Sequence, residues 1–129
     1  MQNKFIVSAA FLGAITVALG AFGAHALKQF ISAQALSTYE TAVRYQFYHV
    51  FALAITGIVY SKNPNKLIRN AGIFFMVGMA FFSGSLYTLT YMAYTGNTNF
   101  AWVGPITPIG GLFLILAWIQ LGLGLKRTN

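Results

Sequence analysis

The chain has no cysteine, which excludes disulfides, thiol catalysis and cysteine-held metal or iron–sulfur centres. It has one acidic residue, Glu40, and no nucleophile–base–orienter set is evident in the pattern. Charge as a whole is scarce. Charged residues make up 7% of the 129, where a soluble domain carries about 25%, too few to coat a water-soluble globule. Apolar residues reach 57%, so lipid has to cover what charge does not. No internal repeat, low-complexity tract or interdomain linker is visible, and residues 1–129 read as one domain.

The net charge of +7 suggests nucleic acid at first sight, but the pattern argues otherwise. The eight basic residues stand singly at the ends of apolar segments, without a basic stripe or aromatic–basic interleaving. No nucleic-acid partner is expected. The partner this composition calls for is the lipid bilayer.

Four apolar stretches each approach the roughly 20 residues needed to cross a hydrocarbon core. They lie at about 5–24, 38–60, 67–94 and 106–125. Backbone groups in lipid must pair within their own segment, so these runs predict helices, and the fold class is an all-α integral membrane four-helix bundle. The first stretch also resembles a secretory signal, with Lys4, an apolar core and Ala24-His25-Ala26. Its apolar run continues to Phe22, long for a signal core, and a retained helix is expected.

Basic residues set the orientation. With four spans, Lys4, Lys62, Lys66, Arg69, Lys126 and Arg127 share a side, six against Lys28 and Arg44 on the other. Both termini are therefore expected in the cytoplasm, with the chain multi-pass in the cell (inner or plasma) membrane.

Between the first two helices, Leu27, Phe30, Ile31 and Ala35 fall on one helical face and Lys28, Gln29, Ser32 and Gln34 on the other. That spacing predicts a short amphipathic helix in the interface. Ser37-Thr38-Tyr39-Glu40 then has the form of a capping box, which starts helix two at Thr38. Helix four opens on Gly104-Pro105-Ile106-Thr107-Pro108, where Pro105 or Pro108 occupies the first turn.

Few residues could carry chemistry. Glu40 precedes Arg44 by four, the favourable order for a helical ion pair. The pair reads either as a cap with a surface ion pair, the simpler account, or as the carboxylate site of a small transporter. His25 and His49 are the only histidines, and His49 lies on the order of 10 Å into helix two. They could bind haem or metal or relay protons, or each could bond a neighbouring helix. No third ligand is evident, and Glu40 falls on roughly the face opposite His49, so no metal or cofactor is expected. Ala10, Ala14 and Ala18 on helix one, with Ala9 and Gly13 beside them, and Gly72, Ala80 and Gly84 on helix three form small-residue faces suited to close packing. Tyr87, Tyr91 and Tyr94 continue the latter as a tyrosine stripe, read with Trp102 and Trp118 as interfacial anchors.

The polar residues concentrate towards one side. Glu40, Arg44, His49, Ser83, Tyr87 and Thr107 all fall in the outer halves of their helices. They are expected to meet as a polar cluster between helices two, three and four, with His25 at its rim and Leu, Ile and Phe closing it below.

Four segments together resemble a known family. They are Gly20-Ala21-Phe22-Gly23-Ala24-His25-Ala26-Leu27, Arg44-Tyr45-Gln46-Phe47-Tyr48-His49, Ser83-Gly84-Ser85-Leu86-Tyr87, and Gly104-Pro105-Ile106-Thr107-Pro108-Ile109-Gly110-Gly111. In this order they are similar to domain-of-unknown-function family 423, small bacterial inner-membrane proteins with an animal relative among the numbered transmembrane proteins. The resemblance implies a four-helix membrane protein that keeps its first helix, and marks His25, Arg44, His49 and Gly104 to Gly111 as site candidates without a role. It implies no activity.

Three functional classes follow. The first is a non-enzymatic membrane protein acting through helix contacts, as a homo-oligomer (dimer or trimer) or accessory subunit. The second is a small oligomeric transporter or channel for a ligand of unknown identity. The third, a histidine-based haem, metal or redox protein, has the least in its favour.

Overall fold

The computed structural model describes residues 2–127. Four helices follow one another: α1 (Gln2–His25), α2 (Ala33–Lys62), α3 (Lys66–Thr95) and α4 (Ile106–Lys126). Single turns of 3-10 helix, Leu27–Gln29 and Ala101–Val103, interrupt the two connections at one end, and no strand occurs among the described residues. The helices pack in chain order, α1 on α2, α2 on α3 and α3 on α4. A closed ring would need an equally extensive α1–α4 face, and none is formed.

Small residues decide how closely the helices approach. Gly110 of α4 lies on the α3 backbone, so that an added Cβ there would stand 2.3 Å from the amide nitrogen of Phe82. Gly78 of α3 makes room for Leu114, and Gly124 of α4 for Ile68. On the opposite flank the ring of Phe5 fills the space over Gly72, its centroid 6.3 Å from that of Tyr60. Phe5, Leu53, Ile68 and Phe75 are wholly buried in this apolar core.

These contacts also fix which helix ends lie together. The start of α1, the end of α2, the start of α3 and the end of α4 share one end of the molecule. Asn65 ties it down, accepting from the Ile68 amide at 3.0 Å as the N-cap of α3 and donating to the Gly124 carbonyl at 3.3 Å. Lys4, Lys62, Lys66, Arg69, Lys126 and Arg127 therefore all belong to this basic end.

The first connection differs from the sequence expectation. No separate amphipathic helix forms between Leu27 and Ser37. The chain makes the one 3-10 turn, and α2 begins at Ala33, five residues before Thr38. Ser32 is its cap: extended at φ −65°, ψ 160°, it accepts from the Ala35 amide at 3.1 Å. The Ser37–Glu40 capping box is consequently not made, because both residues already lie inside the helix. The apolar period runs unbroken through Ala35, Tyr39 and Ala42, all buried, so packing against the other helices carries α2 further out than the cap signature suggests. In α4, Pro105 takes the N-cap position and Pro108 the third helical position, where an amide has no partner within the helix.

The small residues expected on α1 divide between two faces. Ala9, Gly13, Thr16, Gly20 and Gly23 face the other helices, whereas Ala10, Ala14 and Ala18 are exposed. Phe11, Ile15, Val17 and Phe22 are exposed with them, as are Leu112, Ile115 and Ile119 on α4. A water-soluble protein does not leave so much contiguous apolar surface uncovered.

Three of the helices, α1, α3 and α4, are long and apolar enough to cross a membrane. The 30 residues of α2 match α3 in length, but they carry Glu40, Arg44, Gln46 and His49 and fall short in hydropathy. Its exposed face is sorted by position. Ser37, Glu40 and Arg44 come first, then Tyr48, Phe51, Ile55 and Ile58, then Lys62.

Candidate functional site

Apart from Thr56, which bonds the Ala52 carbonyl of its own helix at 2.7 Å nearer the basic end, the buried polar side chains sit on the inward faces of the helices away from that end. α2 supplies the middle of the arrangement because Gln46 and His49, three residues apart, share its buried face with Ala42, Val50 and Leu53. Each polar side chain there is bonded to another helix or to its own backbone, and no buried side-chain nitrogen or oxygen among the described residues lacks a partner.

The longest connection crosses three helices. Tyr87 of α3 donates its hydroxyl to Oε1 of Gln46 at 2.7 Å. Nε2 of Gln46 donates to Oγ1 of Thr16 on α1 at 2.8 Å, and the Thr16 hydroxyl donates to the Leu12 carbonyl at 2.6 Å. Every donor is used in one direction, so the amide orientation of Gln46 follows from the network.

His49 forms the second connection. Its Nδ1 lies 2.6 Å from the Tyr45 carbonyl, and the indole N–H of Trp118 on α4 reaches its Nε2 at 3.2 Å. An indole only donates, so Nε2 must accept and Nδ1 must carry the proton. The imidazole in this geometry is neutral and has no lone pair left for a metal. Phe75 packs against both partners, its ring centroid 5.8 Å from His49 and 5.1 Å from Trp118.

Two hydroxyl contacts complete the set. Ser83 donates to the Ala42 carbonyl at 2.8 Å, joining α3 to α2. Ser85 donates to the Phe82 carbonyl at 2.9 Å, which leaves the Thr107 hydroxyl, 2.5 Å away on α4, as donor to Ser85. At the far end Tyr39, its ring tilted 57° to that of Tyr87 with centroids 5.5 Å apart, donates to the Leu19 carbonyl of α1. Above the two rings opens a crevice of about 450 Å³, lined by Phe22, Phe30, Tyr91 and Tyr94 among others and by no charged residue.

Four of the expected cluster members, His49, Ser83, Tyr87 and Thr107, thus take part in inter-helix bonds. Three do not. Glu40 and Arg44 are exposed on α2, lining a groove against α1, and make no ion pair with each other. His25 is exposed at the end of α1, where only its carbonyl is engaged, by Gln29 at 3.2 Å. Gly110 holds α4 against α3, Gly111 lies near the Phe82 ring, and Gly104 and Pro105 form the turn into α4. The cluster also reaches α1 through Thr16, beyond the three helices expected. Gln46, Thr16 and Ser85 were not named as cluster members from the sequence, and Trp118, read there as an interfacial anchor, instead bonds His49. Among the described residues, no three His, Cys, Asp or Glu side chains lie together.

The family model described as "Protein of unknown function (DUF423)" matches residues 19–111. The chain belongs to this family. Among its relatives is the UPF0382 membrane protein of Haemophilus influenzae, 37% identical over all of this chain and 98% of the relative. The UPF0382 membrane protein of a bovine Staphylococcus aureus strain is 42% identical over 93% of each chain, and YwdK of Bacillus subtilis 35% identical over 93% of this chain and 94% of its own. No solved structure matches. The stretch matched by the DUF423 model takes in Gln46, His49, Ser83, Tyr87 and Thr107, while Thr16 and Trp118 lie outside it.

Proposed function

We propose that this chain is a multi-pass protein of the cell membrane, with all four helices crossing and both termini in the cytoplasm. In this reading it acts through helix contacts, as a homo-oligomer or accessory subunit, and not as an enzyme. The observation that carries the reading is the outward face of α1. Ala10, Ala14 and Ala18 form a small-xxx-small stripe that no helix of the chain covers, on the helix that also lacks an α4 neighbour. Small side chains gain little from lipid contact, whereas they let a second helix approach closely. The polar groups support the same view. Thr16, Gln46, His49, Ser83 and Tyr87 use their polar groups in bonds between helices. The membership of the family and the relatives named as membrane proteins support the location.

The test is mass determination in mild detergent. A dimer or trimer is expected, converted to monomer by Ala14→Phe without loss of the folded state. A wild-type chain that is monomeric at every concentration would overturn the reading.

One observation favours the transporter or ligand-binding alternative. The uncharged aromatic crevice beside Tyr39 and Tyr87 has the size and apolar lining of a small-molecule site. Tyr91→Ala, which opens that crevice without touching the buried bonds, would alter uptake or binding of neutral lipophiles only under this alternative.

A further inference from the structure

The groove between the outer parts of α1 and α2 carries the only acid of the chain. It encloses about 330 Å³. Gly20, Gly23 and Ala24 line its α1 side with almost no side chain, and Glu40 and Arg44 line its α2 side. The two charges are opposite in sign and one turn apart, yet both are exposed and no ion pair joins either to a described residue.

Their depth follows from the exposed face of α2. Below Arg44 this face is apolar through Tyr48, Phe51, Ile55 and Ile58, until Lys62 restores charge. Arg44 and Lys62 stand eighteen residues apart, or about 27 Å at 1.5 Å per residue. A hydrocarbon core is about 30 Å thick. With Lys62 at one boundary, Arg44 lies at the other, the level of lipid phosphates. Glu40 lies one turn further out, about 6 Å. At this level an arginine side chain meets lipid phosphates directly, and a carboxylate one turn further out stands among the headgroups.

We propose that this groove binds the headgroup of a zwitterionic amino-phospholipid, Arg44 holding the phosphate and Glu40 the ammonium. The order of charges is what selects the ligand. In such a lipid the phosphate is the deeper group and the ammonium the shallower, matching a deep cation and a shallow anion. Arg44 offers a planar fork of donors to phosphate oxygens. Glu40 only accepts, so it distinguishes a primary ammonium, which donates, from a choline group, which has no N–H. The Tyr39 ring fills the space over Gly23 and Val43 lies against Gly20, so the glycerol and upper acyl carbons would run along the exposed edge of the groove beside Ala24. The proposal rests on the reading that α2 spans the bilayer.

The test uses the full chain in detergent with equal amounts of phosphatidylethanolamine, phosphatidylcholine and phosphatidylglycerol, counting retained lipids by native mass spectrometry. Phosphatidylethanolamine should be retained about tenfold over the other two, the ratio set by one charge-assisted hydrogen bond. Glu40→Gln should abolish that preference, and Arg44→Gln should remove retention of all three. The doubly exchanged Glu40→Arg/Arg44→Glu variant is decisive. It preserves any ion pair within the helix but inverts the charge order, so the preference should be lost. A variant that keeps the preference, or a wild type without one, would overturn the proposal. Free phosphoethanolamine should displace nothing, and displacement by it would assign the groove to a soluble ligand instead. A cysteine at Ile55 checks the underlying reading separately. Labelling there by an aqueous maleimide would overturn the spanning of α2 and the site with it, whereas protection without headgroup preference overturns the site alone.

Discussion

The indole N–H of Trp118 donates to Nε2 of His49 at 3.2 Å, joining α4 to α2 although the two helices share no extensive face. Trp118 is 47% exposed and His49 only 6%, so the indole edge closes the histidine off from the surroundings. The bond requires neutral His49 with its proton on Nδ1, and that N–H donates to the Tyr45 carbonyl.

The first expectation is a measurable coupling between these two side chains. His49→Leu and Trp118→Phe should each destabilise the protein in mixed-micelle unfolding, and the double variant should lose less than the sum. Inter-helix hydrogen bonds in membranes contribute about 0.6 kcal/mol on average and up to about 1.7 kcal/mol. A coupling in that range is expected, and strictly additive losses would mean the contact contributes nothing.

The three-helix chain from Tyr87 to Leu12 should respond as a unit. Tyr87→Phe leaves Oε1 of Gln46 without its donor, and Thr16→Val leaves Nε2 without its acceptor. An orphaned buried group costs about 1–3 kcal/mol. The triple variant Thr16→Val/Gln46→Leu/Tyr87→Phe orphans nothing, so it should unfold closer to wild type than the summed single variants. A triple variant as unstable as that sum would show the bonds to be independent.

Much of this arrangement was readable from the sequence, and the failures have physical causes. His49, Ser83, Tyr87 and Thr107 were legible because isolated polar groups in apolar helices turn inward. Gln46 was overlooked although it lies three residues from His49 on the same face, because an uncharged amide beside Arg44 and His49 draws less notice. Thr16 carried no signal, since a threonine in a membrane helix satisfies itself on the preceding turn, as it does here with Leu12. Glu40 was assigned to a capping box by local spacing, but Ser32 caps the helix earlier and the buried run from Ala35 onward extends it. Which of the two alanine–glycine faces of α1 meets α2 also lay beyond local pattern. Both have the required spacing, and only the partner surface, with Val43, Val50 and Tyr39, chooses between them.

Glycine replacements should rank by what the new methyl group meets. At Gly110 it meets the α3 backbone at Phe82, which cannot move without separating the helices. Gly110→Ala should therefore cost at least the 1–3 kcal/mol typical of overpacking. At Gly72 it meets only the ring of Phe5, 2.4 Å away, which can rotate aside at a smaller cost. At Gly84 it meets nothing within 4 Å, so Gly84→Ala should be neutral within about 0.5 kcal/mol. Unfolding midpoints of the three variants check the order, and a Gly84→Ala as damaging as Gly110→Ala would refute this packing.

Orientation gives the last expectation. The basic end collects Lys4, Lys62, Lys66, Arg69, Lys126 and Arg127, against Lys28 and Arg44 towards the opposite end. That asymmetry favours a cytoplasmic basic end. A cysteine at Asn99, exposed in the connection between α3 and α4, should react with an impermeant maleimide in intact cells. A cysteine at Asn63, exposed between α2 and α3, should react only after lysis. Replacing Lys62, Lys66 and Arg69 with glutamine leaves three basic residues against two, so the same two probes should then report a mixed population. Labelling at Asn63 and not at Asn99 in the unaltered background would reverse the orientation. An unchanged pattern in the triple glutamine variant would mean that the uncharged connection around Asn99, and not the basic loop, determines how the chain inserts.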